Sequence, residues 1–208
     1  MPNPARVVVL ISGGGTNLAA LLGASRDPGY GVEVVAVVAD RDCDGLRLAA
    51  DAGIPGVVVR LKGYPTRDAW DEALTAQVAA HQPDLVISAG FLKLVGERFL
   101  TAFDGRYLNT HNALLPAFPG IHGPRDALEY GVKIAGATLF VVDAGVDTGA
   151  IVAQVAVPVL DSDDVDALTE RIKVAERVQL VEWVGRLARE GFRVEGRRVV
   201  LGGAEQGR

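Results

Sequence analysis

Asn109 and His111 stand two apart in Leu108-Asn109-Thr110-His111-Asn112-Ala113-Leu114-Leu115-Pro116. On an extended segment such residues project to one side, so a side-chain amide and a titratable imidazole can aim at the same point. That pairing suits stabilisation of the oxyanion formed when a nucleophile adds to a carbonyl. A lone histidine near a strand end also serves structural ends, but histidine is scarce here. The sequence holds only three, His81, His111 and His122, and His81 falls in a polar helix end. A second stretch, Ser12-Gly13-Gly14-Gly15-Thr16-Asn17, lies between an apolar run and a helical one. Its glycines let backbone amides approach an anion, and a helix starting there points unpaired N–H groups at it. It reads as a phosphate cradle or as a tight strand-to-helix turn. No Lys-Ser or Lys-Thr follows, so it is not a P-loop. Leu18 takes the place of the third glycine of a dinucleotide fingerprint, although Asp40 stands where NAD enzymes keep an acid. A third stretch, Asp143-Ala144-Gly145-Val146-Asp147-Thr148-Gly149, is either a turn that uses Gly and Asp for shape or the source of a carboxylate. If Asp147 reaches His111, its charge favours the imidazolium. One Asn-x-His with a distant Asp is poor geometry for a metal beside the His and Cys clusters that bind zinc. Neither Ser12 nor Ser88 lies in a Gly-x-Ser-x-Gly elbow, which argues against a serine hydrolase.

The elements that would position these residues follow from pattern. Residues 6–11 and 32–39 are short, apolar and β-branched, as parallel strands buried on both faces are, and 56–60 and 84–88 fit further strands. Helical composition over 17–22, 45–52 and 68–81 alternates with them. The first half is therefore expected to be a doubly wound, nucleotide-type fold, with ligands beyond the carboxyl ends of its strands. The second half changes character. Residues 106–109 read as a short strand, 134–142 and 149–159 as a hairpin, 161–188 as one long helix, and 192–201 as a last hairpin turning at Gly196. Pro158 marks an edge or a strand end. The acidic Asp161-Ser162-Asp163-Asp164 suits a helix N-terminus.

Composition sets the outer limits. The chain of 208 residues is 49% hydrophobic and only 6% aromatic, so its core must be aliphatic, and one folding unit is expected. A net charge of -5 gives no electrostatic footprint for nucleic acid. The stretches without formal charge, 7–25 and 107–124, carry polar residues, glycines and prolines that disqualify them as membrane spans. Cys43 is the single cysteine and the N-terminus lacks a signal-peptide core, so a cytoplasmic location is expected.

Taken in order, Val9-Leu-Ile-Ser-Gly-Gly-Gly-Thr-Asn-Leu18, Ser88-Ala-Gly-Phe-Leu-Lys-Leu94, Leu108 to Pro116 followed by Phe118-Pro-Gly-Ile-His122, and Val146-Asp-Thr-Gly149 resemble the motifs of the folate-dependent phosphoribosylglycinamide formyltransferases, the GAR transformylases. The resemblance runs from about Val7 to Glu176. It implies an α/β single-domain formyltransferase fold over residues 1–208, with a mainly parallel, Rossmann-like nucleotide-binding half to about residue 105 and a mixed-sheet folate-binding and catalytic half beyond it. It implies formyl transfer from 10-formyltetrahydrofolate, as co-substrate, to the amine of N1-(5-phospho-D-ribosyl)glycinamide in purine synthesis. Small-molecule substrates, no metal, no nucleic acid, no membrane, and a monomer or homodimer go with it. Matched position by position, the catalytic set falls at Asn109, His111 and Asp147, and the ribonucleotide contacts at Gly15, Thr16, Asn17, Lys173 and Glu176. The folate contacts fall at Arg67, at Leu92, Lys93, Leu94 and Val95, at Asn109, and along the loop Asp143, Ala144, Gly145, Val146 and Asp147. Three positions depart from the family. Asn112 replaces the usual proline, Phe140 a second histidine, and Pro124-Arg125-Asp126 a His- or Gln-containing segment. The alternatives are an NAD-dependent oxidoreductase built on Gly13, Gly15 and Asp40, a related sugar-amine formyltransferase, and a non-catalytic folate or nucleotide binder. Relatives acting on charged tRNA or hydrolysing formyl-folate carry an added domain that 208 residues do not accommodate.

Overall fold

Valine-rich runs with little charge can be covered on both faces, and the first strands are. The computed structural model describes residues 1–202; residues 203–208 of the expected domain lie outside the described residues. In chain order the elements are β1 (Ala5–Ile11), α1 (Thr16–Ala24), β2 (Val32–Ala39), α2 (Gly45–Asp51), β3 (Gly56–Val58), α3 (Arg67–Ala79), β4 (Leu85–Ser88), α4 (Glu97–Ala102), β5 (Tyr107–His111), α5 (Gly123–Tyr130), β6 (Ile134–Val141), β7 (Ile151–Pro158), α6 (Val165–Glu190), β8 (Phe192–Glu195) and β9 (Arg198–Leu201). They build one nine-stranded sheet in the order β3-β2-β1-β4-β5-β6-β7-β9-β8. The strands from β3 to β5 are parallel, and β6 and β7 run antiparallel beyond them. This is the expected α/β architecture with a parallel first half and a mixed second half, and the strand order reverses between β1 and β4, where open α/β sheets bind ligands.

Alternation along the strands divides the core. Val7, Val9 and Ile11 pack with Leu18 and Leu21 of α1, Ala49 of α2, and Leu180, Val184 and Leu187 of α6. Val8 and Leu10 pack on the opposite face with Trp70, Leu74 and Val78 of α3 and Phe99 of α4. Each fully buried leucine or valine stabilises this arrangement by about 1.5–3 kcal/mol. Helix α6, 26 residues long, also reaches the second half, where Leu168 and Ile172 pack with Ala135 and Ala137 of β6 and Val157 of β7. It therefore braces both halves and carries Lys173 and Glu176 between them.

Several boundaries differ from expectation for identifiable reasons. Helix α6 starts at Val165 rather than 161, because Asp164 caps it by accepting from Ala167 N at 2.8 Å, a role aspartate fills better than a helix interior. Strand β5 extends to His111 because its ladder with β6 runs on to Thr138. Strand β7 starts at Ile151, where its pairing with β6 begins opposite Phe140. Strand β3 ends at Val58, where its pairing with β2 stops. Helices α4 and α5 were not foreseen, being too short for periodicity to reveal.

Asp163 secures the start of α6: it accepts from Leu160 N at 2.8 Å and pairs with Arg171 at 2.6 Å. The hydrogen bond from Arg171, then that from Leu160, lowers its carboxyl to about 2. The lowered value means that the stabilisation is fully present above the ordinary carboxylate range and is lost as pH falls toward 2. Asp163→Asn should lower Tm by a few degrees at pH 7, with the gap from wild type closing between about pH 4 and pH 2. Thermal melts across that range measure it.

Candidate active site

Strand alternation decides which side of β5 can do chemistry. Leu108 faces the α1 and α6 side of the core and Tyr107 the α3 and α4 side, so Asn109 and His111 share the latter face and Thr110 turns toward α6. His111 is buried, and two groups from separate loops meet its ring. Its Nε2 lies 2.8 Å from the Phe118 carbonyl oxygen. A carbonyl only accepts, so Nε2 carries the hydrogen. Its Nδ1 lies 3.7 Å from Asp147 Oδ2, and the same Oδ2 accepts from Gly120 N at 2.7 Å. The expected meeting of Asp147 with His111 is thus present, held by a backbone carbonyl and a backbone amide from one turn. Phe118 and Asp147 both adopt positive φ, at 53° and 54°, a conformation disfavoured for residues other than glycine. Sequence reasoning did not assign Phe118 and Gly120 these roles; the Pro-Gly turn following Phe118 was the available signal.

The glycine-rich turn sits one strand away from β4, at the carboxyl end of β1. Gly15 is the N-cap of α1 at φ 73°, and a Cβ there would come within 2.9 Å of Gly45 Cα. The next amides, of Thr16 and Asn17, begin the helix without intrahelical acceptors. Asn17 turns its side chain inward, where Nδ2 donates to Glu176 Oε1 at 2.6 Å. Thr110 Oγ1 donates to the same oxygen at 3.0 Å. Glu176 is therefore joined to the turn and to β5. Lys173 stands exposed one helical turn before it and pairs with Glu170 at 2.7 Å rather than with the turn.

The segment after β4 presents Leu92 and Leu94 to solvent, at 67% and 64% exposure, between fastened neighbours. Arg67 donates to the Leu94 carbonyl, and Val95 packs into the core beside α3. Lys93 Nζ lies 3.9 Å from Asp40 Oδ2. Across the site the loop after β6 is exposed at Asp143, Ala144, Gly145 and Val146, and Asp143 Oδ1 holds its shape by accepting from Gly145 N and Thr148 Oγ1. Leu92 and Leu94 in the segment after β4 and Val146 in the loop that carries Asp147 are thus exposed apolar side chains. Asp40 is buried and pairs with Arg41 at 2.7 Å, so it is not open to a ribose as the NAD reading required. A cleft of about 570 Å³ lies by Asp84 and Arg106 at the opposite ends of β4 and β5 and shares only Asp143 with the site. Among the described residues no helix is long and apolar enough to cross a membrane.

Residues 5–184 match the formyl transferase family. A phosphoribosylglycinamide formyltransferase of Mycobacterium tuberculosis is 57% identical over 199 residues, covering 96% of this chain and 92% of that protein. The trifunctional purine biosynthetic protein adenosine-3 of Drosophila melanogaster is 45% identical over 174 residues, 82% of this chain and 13% of that protein. Among solved structures, glycinamide ribonucleotide transformylase 1 from Symbiobacterium toebii superposes with a TM-score of 0.92 at 44% identity, covering 96% of this chain and 94% of the other.

The glycine-rich turn yields a direct test. An alanine at position 15 would carry a positive φ and a clash with α2, so Gly15→Ala should lower Tm by a few degrees. It should also remove most of the thermal protection that saturating inorganic phosphate gives the wild type. Equal protection of both proteins would place the anion elsewhere.

Proposed function

The chain belongs to the formyl transferase family, and from that premise we propose that it transfers the formyl group of 10-formyltetrahydrofolate to the amine of N1-(5-phospho-D-ribosyl)glycinamide. The products are the N-formyl ribonucleotide and tetrahydrofolate, in purine biosynthesis, with the protein acting in the cytoplasm as a monomer or homodimer. The observation that carries the reading is the contact of Asp147 with His111 on the face of β5 that Asn109 shares, with a glycine-rich turn that suits a phosphate at the carboxyl end of β1 in the same sheet. Residues to about 105 would hold the ribonucleotide together with Lys173 and Glu176, and those beyond would supply the catalytic groups and the 143–147 loop, which shares the donor with Arg67 and residues 92–95.

In this reading the substrate phosphate sits on the Gly15, Thr16 and Asn17 amides, and Glu176 faces the ribosyl portion. The pteridine end of the donor lies against Leu92, Leu94, Val95 and the 143–147 loop. The glycinamide amine attacks the formyl carbon, forming a C–N bond while the carbonyl electron pair moves onto oxygen. Asn109 donates its side-chain amide to that oxygen. His111, protonated on both nitrogens, keeps Nε2–H on the Phe118 carbonyl and turns Nδ1–H toward the developing charge. Asp147 holds the ring cationic and, directly or through water, takes the proton lost by the amine. The electron pair on oxygen then re-forms the C=O bond as C–N10 breaks, and N10 takes, directly or through water, the proton that Asp147 received from the amine. Preorganisation is the main gain, since the turn at 118–120 fixes both His111 and Asp147 before substrate arrives.

Turnover of 10-formyltetrahydrofolate with the ribonucleotide, following tetrahydrofolate released against N-formyl product made, tests the assignment. One-to-one release is expected, and no turnover would overturn it. Asp147→Asn should reduce kcat by on the order of a hundredfold. His111→Ala should reduce it at least as far, and the double variant should be scarcely worse than the worse single one, because the two act as a unit. Kinetics of the four proteins decide this. Lys173→Ala should raise KM for the ribonucleotide several-fold at unchanged kcat, because a phosphate is bound alike in ground and transition states. An unmoved KM would remove Lys173 from the phosphate site.

A further inference from the structure

Five points fasten the short segment that follows β4. The Phe91 ring stacks on Trp70 of α3, with centroids 6.5 Å apart. Leu92 N donates to Ser12 Oγ at 2.8 Å. The Lys93 ammonium faces Asp40, and the Leu94 carbonyl accepts from Arg67. Gly96 N donates to Asp71. With the backbone held this way, the side chains of Leu92 and Leu94 have no direction left but outward.

At the centre of this arrangement lies Asp40, at the carboxyl end of β2, with a side chain only 1% exposed. A buried carboxylate needs counter-charge and hydrogen bonds to remain an anion. Burial pushes the Asp40 carboxyl up, but hydrogen bonds from Arg41 and Ser12 and the charges of Arg41 and Lys93 outweigh it and hold the group below its ordinary value. Ser12 thus serves the carboxylate and the Leu92 amide together, just ahead of the glycine-rich turn.

We infer that Asp40 is a positioning residue for the donor site, holding Lys93 and with it residues 91–95 in the shape that receives the formyl donor, so that Lys93 serves the protein's own carboxylate rather than the acidic tail of the donor. Matching to the family placed Lys93 among the folate contacts, where a cation invites a tail carboxylate. The geometry gives that cation another employment. Drawing it onto an outer carboxylate would strip Asp40 of one of its cations and bring a second negative charge toward the first. The inference rests on formyl-folate being the donor, and its test separates the two questions.

The full chain is assayed as wild type, Asp40→Asn, Lys93→Met and the double variant. The donors are 10-formyltetrahydrofolate and its pteroyl counterpart lacking the glutamate tail. Each single substitution should raise the donor KM about three- to tenfold, leaving kcat and the ribonucleotide KM within about twofold. The double variant should be no worse than the worse single one, and the Lys93→Met penalty should be the same with the tailless donor. Penalties that multiply, or a Lys93→Met penalty that vanishes without the tail, would overturn the inference. Should Asp40→Asn fail to fold, Lys93→Met with the two donors decides it alone, since that side chain is a third exposed. A wild type inactive with 10-formyltetrahydrofolate would overturn the donor reading itself and this inference with it.

Discussion

One carboxylate oxygen joins the pieces of the site. Glu176 Oε1 accepts from Asn17 in the glycine-rich turn and from Thr110 in β5, while its own helix spans both halves of the sheet. Thr110 sits between Asn109 and His111, so the bond that fixes it sets the rotation of the strand that carries them. Buried polar groups are costly when unpaired, and a half-made network here would leave Glu176 charged without a partner. The turn, the strand and the helix are thus held to one geometry, and the chemistry inherits its register from a residue that belongs to the other face of the sheet.

The opposite face is held by backbone rather than by side chains. Phe118 offers its carbonyl to His111 and Gly120 its amide to Asp147. Of the three non-glycine residues with positive φ among those described, Phe118 and Asp147 are two. Each such conformation costs about 1–3 kcal/mol and persists only where the surroundings over-determine it. Here the Phe118 ring packs edge-on against Tyr130, 5.9 Å between centroids, and the Asp147 loop is pinned through Asp143. Strain concentrated on the two residues that contact the histidine is what a preorganised site requires, because little then remains to rearrange when substrate binds.

How far the sequence reveals this depends on the range of the cause. The parallel half follows from composition, since both-face burial writes itself as valine-rich runs, and the acid-capped α6 announces its start within a turn. Asn109 and His111 are legible because period-two alternation is local. Contacts across the fold are not. Nothing in the spacing ties Asp147 to His111, 36 positions back, or Asn17 to Glu176; the ordered motifs of the family supplied the first pairing, and only the packed sheet reveals the second. Helices α4 and α5 escape because one or two turns leave no periodic trace, and β5 is read short because its last residues are strand only by virtue of pairing with β6.

Phe140 shows what a departure from the family pattern does to such a site. It pairs across the sheet with Asn109 and lies on the same face, but it is fully buried, its ring 3.3 Å from where a Cβ on Gly149 would stand. The space is therefore filled by hydrocarbon, not left open for water. A histidine there would place a second titratable ring beside Asn109, while phenylalanine leaves His111 with Asp147 as its charged neighbour and the Phe118 carbonyl as its fixed acceptor. Lower local polarity strengthens each remaining electrostatic contact. An apolar ring at this position thus leaves Asp147, presented by its strained loop, as the one carboxylate that meets the His111 ring among the described residues.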